Sequence, residues 1–365
     1  HSLFSVQVQD GSQWLGRLYH HYQDWQARTE RVGVRTNITD YDSHTVGGLA
    51  YAATHFLSGI GRAGLEWIGR RGVSIEDKEF DSGGSLIAKT QVIDGEQDNY
   101  AVFVENQWQV GMLSYGGALR YDYIEQDDTT NTRSDSSVSA SVSSSWAPQD
   151  TLEITGQIGT GFRFPTLTEL YFNGATPRGE TIGNPELEPE ENLGVQLGLD
   201  YDAGGVNASL QTYYNQLDQD IERYAVDAKT RSYRNLDGAD IWGYEAQFSW
   251  QPDASLTHSI SYQWQRGESD AGDWLADLNP SSFRYLLDWR GEVYRMQSDL
   301  TYRLNRNDFG EGEMALDSVL IWNGRLIRHF GDSWQGEIFA NNILDELYVA
   351  TADEDAAYQP GRTLG

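Results

Sequence analysis

The sequence predicts an all-β protein, a transmembrane antiparallel β-barrel with about 17–18 strands present of about 22. Three observations support this fold class. Apolar and polar residues alternate over stretches of about ten residues, as in strands that have one apolar and one polar face. Tight turns alternate along the chain with long polar loops, as at the two ends of a membrane barrel. Aromatic residues stand where strands meet turns, as in the girdles at membrane interfaces.

The expected strands follow one another along the whole chain. The alternation is clearest at 193–201, 206–214, 242–250, 256–264 and 294–302. We expect about 17 strands, at 2–9, 13–25, 31–40, 46–56, 61–71, 98–107, 111–124, 135–146, 150–162, 190–201, 206–218, 239–251, 254–265, 282–290, 292–304, 314–330 and 333–344, with an eighteenth opening at Gly361. We expect long polar loops at 72–97, 125–135, 163–189, 219–238, 266–281, 305–313 and 346–360. No stretch sustains the period of a helix.

A soluble β-sandwich or propeller is the alternative fold, because its strands also alternate between a buried and a solvated face. Strands of soluble sheets average about five or six residues. The strands expected here are about ten residues long, which is the length that crosses a bilayer at a tilt. No internal repeat of the propeller type is present. The pattern therefore favours the membrane barrel.

The composition excludes several classes of function. The 55 acidic residues outnumber the 26 basic ones, and the net charge of −29 repels nucleic acid. Aromatic residues make up 12% of the chain, which argues against a disordered acidic protein. The absence of cysteine removes disulfides, thiolate metal sites and cysteine nucleophiles. There is no G-x-S-x-G, H-E-x-x-H or P-loop motif, so we expect no enzyme and no catalytic residue.

Two groups of residues form motifs. The first begins at a strand end and crosses a long loop: Phe162, Arg163, Pro165, Glu169, Leu170, Tyr171, Asn184, Pro185, Leu187, Pro189 and Glu190. The second lies near the end of the chain: Asn342, Asp345 and Tyr348, followed by Pro360, Gly361 and Arg362. In content and order these motifs resemble the TonB-dependent outer-membrane receptors. Proline cannot donate to a strand ladder, so a purely structural role at the barrel rim is the alternative to ligand contact.

The resemblance implies a gated importer of the bacterial cell outer membrane. Such a receptor binds a scarce nutrient, here expected to be a ferric siderophore, with cobalamin, another metal chelate or haem as alternatives in the family. The TonB–ExbB–ExbD complex drives import through a plug domain that precedes the barrel, so we expect residues 1–365 to be a barrel domain without the plug, incomplete at both ends. The resemblance further implies a monomeric barrel surrounded by outer-membrane lipid and lipopolysaccharide, with no cofactor. A passive porin-like channel and a soluble β-rich binding module are the alternatives from other classes.

Two of the expected long loops carry candidate ligand-binding residues. The loop 163–189 contributes Arg163, Tyr171, Phe172 and Arg178, and the loop 219–238 contributes Arg223, Tyr224, Arg231, Tyr233 and Arg234. Arginine and tyrosine grouped in this way on an acidic chain suit an anionic aromatic chelate, through charge-assisted hydrogen bonds and cation–π contacts. The alternative is that these arginines neutralise the carboxylates beside them in the sequence.

The histidines argue against a haem or metal site. Haem receptors in the family carry a histidine between the two boxes of the first motif, and residues 166–183 contain none. No two histidines have the sequence spacing of metal ligands, so we expect no metal site. Acidic groups at 76–79, 125–128 and 353–355 offer oxygen donors for Ca²⁺ but lack EF-hand spacing. A solvated anionic rim is the favoured interpretation of these groups.

Overall fold

A computed structural model describes residues 2–11, 13–56, 59–176, 179–331 and 333–365, most of which are in strands. The predicted all-β class is confirmed, with seventeen strands in one antiparallel sheet and four in a second, small one. The elements are β1 (Ser2–Asp10), β2 (Trp14–Arg31), β3 (Arg35–Phe56), β4 (Gly59–Asp81), β5 (Leu86–Val110), β6 (Leu113–Asp128), β7 (Thr132–Gln149), β8 (Leu152–Arg163), α1 (Leu167–Tyr171), β9 (Asn173–Thr176), β10 (Gly179–Ile182), β11 (Glu190–Ala203), β12 (Val206–Asp218), β13 (Ile221–Ala225), β14 (Thr230–Asn235), β15 (Ala239–Asp253), β16 (Leu256–Ser269), β17 (Ser282–Arg290), β18 (Tyr294–Arg303), β19 (Val319–Phe330), β20 (Trp334–Asn341) and β21 (Thr363–Leu364).

The contacts divide the chain into two compact units. The first comprises residues 1–142, 159–193 and 217–237, and the second comprises residues 143–158, 194–216 and 238–365. In the part of the chain that the structure describes, no helix has the length and apolar character needed to cross a membrane.

In the first unit, strands β1 to β6 pair with one another in chain order, always antiparallel. Successive side chains of a strand point to opposite faces. One face is apolar and open, with Leu18 and Leu65 more than half exposed. The other face holds ion pairs, among them Arg120 with Glu66 at 2.8 Å. The alternation in the sequence predicts this division between an apolar face and a polar one.

The first correction concerns strand β3, which the sequence divides into two strands at 31–40 and 46–56. Residues 41–45 carry polar groups on both faces, so alternation stops there although pairing with β2 continues without a break. The pairing with β4 shifts register between Asp42 and His44. Opposite this shift, Gly72 of β4 has a φ of +56°, which is the backbone of a β-bulge and favours glycine.

The expected long loop at 72–97 is also wrong, because these residues extend β4 and β5 into a long hairpin. Cross-strand ion pairs line this extension. Lys78 bonds Asp40 at 2.7 Å, and Lys89 bonds Glu76 at 2.6 Å. Charged side chains lie on both faces at residues 76–79, so the apolar–polar alternation disappears there while the backbone ladder persists.

Three further expected segments, two loops and one strand, differ in detail from the structure. The loops at 163–189 and 219–238 contain the short helix α1 and the four strands of the small sheet, elements of four to six residues that are too short to show a period. The strand expected at 314–330 begins only at Val319, because residues 304–318 form an irregular segment. The expected strand after Gly361 is present as β21.

In the second unit, strands β15 to β21 pair antiparallel in chain order. The irregular segment and the chain after β20 share a small apolar core, in which Leu316 and Ala352 are buried and Met314 packs against them. An antiparallel bridge between Glu313 and Asp353 joins the same two segments, so this core and the bridge together hold them in place.

Candidate functional site

The candidate site lies in the first unit, where strand β8 ends and helix α1 begins. Thr166 caps the helix: its hydroxyl accepts from the Glu169 backbone at 3.2 Å, and the Glu169 carboxylate accepts from the Thr166 backbone at 2.7 Å. This capping box fixes the start of α1 and places the Glu169 carboxylate beside the end of β8. Leu167 and Leu170 of the same helix are fully buried, which fastens it to the unit.

Arg163, the last residue of β8, binds two carboxylates of the first motif. Its Nη1 donates to both carboxylate oxygens of Glu169, at 3.0 and 2.8 Å. Its Nε donates to Glu190 at 2.6 Å, and its Nη2 donates to the other oxygen of the same carboxylate. Such bidentate contacts are the strongest class of protein ion pair. Arg163 therefore joins β8, α1 and the start of β11.

Glu190 extends this cluster to the second long loop. Its carboxylate accepts from the Ile221 backbone at 2.9 Å, where β13 begins. The carboxyl of Asp220 stands beside it, and burial, reinforced by the Glu190 charge, raises the pKa of Asp220, although Arg163 opposes that effect. Three carboxyl groups thus surround a single guanidinium at the base of both loops.

Above this cluster the two loops combine into the small sheet. β9 and β10 form an antiparallel hairpin from the first loop, and β13 and β14 form one from the second. The hairpins join through a parallel pairing of β10 with β14, Glu180 opposite Thr230 and Thr181 opposite Arg231. The candidate ligand-binding residues of two separate loops therefore lie on one sheet.

The middle of the first motif ties the loop sheet to its base. Asn184 donates to the Tyr233 carbonyl at 3.0 Å, and Asn235 donates to the Glu188 carbonyl at 3.0 Å. Leu187 is completely buried. The Pro185 carbonyl accepts from Arg133 at 3.1 Å. Side-chain donors thus hold the backbone of the motif and of β14 in place, and Pro189 leads directly into β11.

Pro165 and Phe162 lie on the β8 side of the same arrangement. The Pro165 carbonyl accepts from the amide of Gln126 at 2.7 Å, and both residues are fully buried. The Phe162 ring lies 5.0 Å from the Phe164 ring. Because this end of β8 holds α1 and both loops, we call it the loop end of the first unit.

Several of the predicted ligand-binding residues have structural partners. Tyr171 and Phe172 pack against a core of Val73, Val92, Ile93 and Leu167. Arg234 donates to Glu222 at 2.6 Å and lies over the Tyr224 ring at 4.6 Å. Arg178 lies outside the described residues.

One face of the β13–β14 hairpin carries Arg234 and Glu222. The opposite face carries Arg223, Arg231 and Tyr233. Arg223 stands directly opposite Tyr233, and Arg231 lies two residues from Tyr233 on the same strand. Among the residues that the structure describes, neither arginine has a side-chain hydrogen bond or ion pair. Burial raises the pKa of the Tyr233 phenol, with Glu169 adding to the effect and Arg223 opposing it. The face thus offers two unneutralised guanidinium groups and a phenol that stays protonated as a donor.

The late motif lies in the second unit and forms a turn. Asn342, with φ of +49°, donates to the Glu346 carbonyl and accepts from the Glu346 backbone, both at 2.9 Å. Asp345 accepts from the Arg362 backbone at 2.7 Å. The Tyr348 ring lies 5.8 Å from the guanidinium carbon of Arg303, a buried arginine. This turn positions the chain before β21.

Sequence reasoning missed a second arginine cluster, in the second unit. Arg306 is 7% exposed and binds Glu313, which is 6% exposed, at 3.0 Å. It also donates to the carbonyls of Asp308, Leu275 and Leu278. Its seven-residue separation from Glu313 in an irregular segment matches no motif or period, so no sequence signal was available. Over the described residues, no group of three or more His, Asp or Glu side chains is placed to hold a metal ion.

Comparison with known proteins decides the family. A family profile described as "TonB dependent receptor-like, beta-barrel" matches residues 3–343. The chain belongs to this family. The resemblance expected from the motifs is confirmed, and so is the predicted location in the outer membrane of Gram-negative bacteria.

Individual relatives of this TonB-dependent receptor barrel are distant. The iron-regulated outer membrane virulence protein of Vibrio cholerae serotype O1 is 26% identical over 300 residues, which cover 74% of this chain and 43% of that protein. The vitamin B12 transporter BtuB of Photobacterium profundum is 23% identical over 266 residues, 72% of this chain and 41% of that protein. The chain thus matches less than half the length of these curated relatives.

Among solved structures, the copper transporter OprC matches with a TM-score of 0.83 and 16% identity, over 96% of this chain and 61% of that one. At this identity the likeness establishes the fold of the receptor barrel and carries no information on its ligand.

Proposed function

We propose that this protein is the barrel of an outer-membrane receptor that imports a ferric siderophore with an anionic chelate. The observation that carries the proposal is the face formed by Arg223, Arg231 and Tyr233. On a chain of net charge −29, two arginines without carboxylate partners within the described residues call for an anion from outside. Guanidinium groups bind carboxylate and catecholate oxygens with charge assistance, and they stack on aromatic rings.

The family supports the coarser part of this proposal, because it consists of transport receptors. We further propose that energy comes from the TonB–ExbB–ExbD complex and that the barrel belongs to a longer, monomeric receptor with a plug domain. The greater length of the relatives supports the part of this proposal that the barrel belongs to a longer receptor. Cobalamin is the second candidate ligand, because one relative is a vitamin B12 transporter. A cobalamin ligand would not require the Arg223 and Arg231 guanidinium groups.

The binding experiment uses the full receptor and a panel of iron chelates: an anionic catecholate, an anionic carboxylate, a neutral hydroxamate and cyanocobalamin. Binding is followed by quenching of tryptophan emission. We expect one of the anionic chelates to bind, and the double variant Arg223→Gln/Arg231→Gln to bind it about 100-fold more weakly, since each charged hydrogen bond contributes about 1.5 kcal/mol or more. Uptake of labelled iron should stop when a protonophore collapses the proton gradient.

Lys229→Gln is the matched control, because Lys229 is an exposed cation in the turn of the same hairpin. It should leave affinity unchanged. Tight binding of cyanocobalamin alone would replace the siderophore with the second candidate. Equal affinity of the double variant and the wild type would remove the Arg223–Arg231 face from the site.

A further inference from the structure

The apolar face of the first unit has a groove that alternation alone does not predict. Two adjacent rows of side chains cross strands β2 to β6 on this face. One row runs Leu18, Gly48, Trp67, Tyr100 and Tyr123, and the next runs Gly16, Ala50, Leu65, Val102 and Tyr121. Three neighbouring positions in these rows are glycine or alanine, so the surface is depressed there.

The depression is an apolar cavity of about 670 Å³. Val6 and Val8 of β1 line one side, and the aromatic rings of Trp67 and Tyr100 line the other. A Cβ added at Gly16 would meet no atom within 4 Å, whereas one at Gly48 would contact Leu18 at 3.0 Å. The space over Gly16 is therefore open, and its lining is almost entirely apolar.

At the end of the groove beyond Leu18 and Trp67, the side chains change from apolar to polar within one row. His20 follows Leu18 on the same face, and its Nε2 lies 3.2 Å from Nδ1 of His44. The Tyr22 ring stacks on His44 with centroids 4.6 Å apart. The Trp67 indole donates to Asp98 at 2.9 Å. Rings with an apolar body and a polar tip are typical of the headgroup level of a membrane.

This polar end points toward the loop end of the first unit, since β2, β4 and β6 run from the groove to the same end as Gln126 and α1. In outer-membrane barrels the long loops are extracellular. The groove therefore faces the outer leaflet, where the lipid of a Gram-negative outer membrane is lipopolysaccharide.

We propose that this groove is a binding site for one acyl chain of a lipopolysaccharide molecule, whose sugar–phosphate headgroup lies at the level of His20 and His44. An acyl chain that fills the groove buries the apolar surface of Val6, Leu18 and Val102 in contact with its own hydrocarbon. The glycines leave space for it, and the aromatic rim fixes the depth at which the headgroup begins. This inference rests on membership of the outer-membrane family and is independent of the imported ligand.

The test is native mass spectrometry of the full receptor, extracted from outer membranes in mild detergent. We expect the wild type to retain lipopolysaccharide near one molecule per receptor. Gly16→Leu fills the open space without a backbone conflict and should lower this occupancy at least tenfold. Gly16→Val is the second variant if the leucine impairs insertion, and it should lower occupancy in the same direction.

The matched control is Gly117→Leu, on the same face but outside the groove, where an added Cβ meets only the Ser141 carbonyl at 3.9 Å. It should retain lipopolysaccharide as the wild type does. Retention of lipopolysaccharide by both Gly16 variants would overturn the proposal. Retention of phospholipid in its place by the wild type would also overturn it, because the groove would then accept any membrane chain.

Discussion

In each compact unit an arginine binds the irregular segments and holds them in place. The two arginines, Arg163 and Arg306, differ in burial and in partners. The Arg163 side chain is 41% exposed and binds two carboxylates, with a third, Asp220, nearby. Arg306 is 7% exposed and binds one carboxylate and three backbone carbonyls. An exposed cluster depends on charge that water and salt screen, whereas a buried one depends on complete hydrogen bonding. Loss of the arginine should therefore cost far more in the second unit.

The largest expected effect follows from Arg306→Met. The change leaves the Glu313 carboxylate buried without its cation, which typically costs about 3–5 kcal/mol. Amide hydrogen exchange should show opening of residues 305–316 at a correspondingly lower free energy. Arg325→Met removes an exposed ion pair with Glu337 and should cost less than about 1 kcal/mol. Equal effects of the two substitutions would refute the distinction by burial.

Arg163→Met should have an intermediate effect. Solvent reaches Glu169 and Glu190 after the change, so we expect a loss of about 1–2 kcal/mol. The informative result is where amide hydrogen exchange accelerates. It should accelerate in both α1 and β13, because Arg163 binds Glu169 of α1 directly and is linked to β13 through Glu190. Arg62→Met removes a pair of similar exposure, with Glu105, and should leave both elements unchanged. Acceleration in α1 alone would contradict the link through Glu190.

The smallest effect, and the one most specific to the first unit, is that of Asp220→Asn. Because burial and Glu190 raise the pKa of Asp220, the folded protein holds this proton more tightly than the unfolded chain. The resulting stability is present at acid pH and is lost as the pH rises through the raised pKa. Near neutrality the ionised carboxylate opposes folding, so the asparagine should stabilise β13 and β14 by less than about 1 kcal/mol.

Hydrogen exchange of residues 221–235 at about pH 7.5 and about pH 4 tests this sign. The advantage of Asp220→Asn should be present at the higher pH and shrink at the lower one. Asp227→Asn in the turn of the same hairpin should behave oppositely at neutral pH, because hydrogen bonds from Lys229 and Thr230 lower the pKa of Asp227. A stabilisation by Asp220→Asn that does not change with pH would contradict the role of ionisation.

The sequence predicts the fold best where the two faces of a strand lie in different environments, one apolar and one polar. In a membrane barrel, apolar lipid-facing residues alternate with polar inward-facing ones, and strands such as β12 and β18 show this alternation in their sequence. The outer parts of β4 and β5 carry charged residues on both faces and pack against α1 only around Val73, Val92 and Ile93, so they lack the alternation that separates a strand from a loop. Their strand character comes from partners far along the chain, such as Asp40 for Lys78.

The candidate site was predictable in position but not in detail. The motif around Arg163 and Asn184 marks the base of two loops, and the structure places both residues there. That the loops share one sheet depends on the β10–β14 pairing, which joins residues about 50 positions apart without any local signal. Ligand contact by Arg223, Arg231 and Tyr233 stays a prediction, and Arg306 shows that a cluster built on backbone carbonyls leaves no pattern in the sequence.

The length of the β4–β5 hairpin has a practical consequence. From Trp67 and Tyr100, at the aromatic level of the apolar face, each strand continues for 14 more residues to the turn at Gly83 and Gly84. At about 3.3 Å per residue this is about 45 Å of strand beyond the membrane boundary. The turn is thus an exterior site that lies outside the segments forming β9, β10, β13 and β14. A peptide epitope or fluorophore inserted there can report the receptor on living cells while the loops 163–189 and 219–238 remain unmodified.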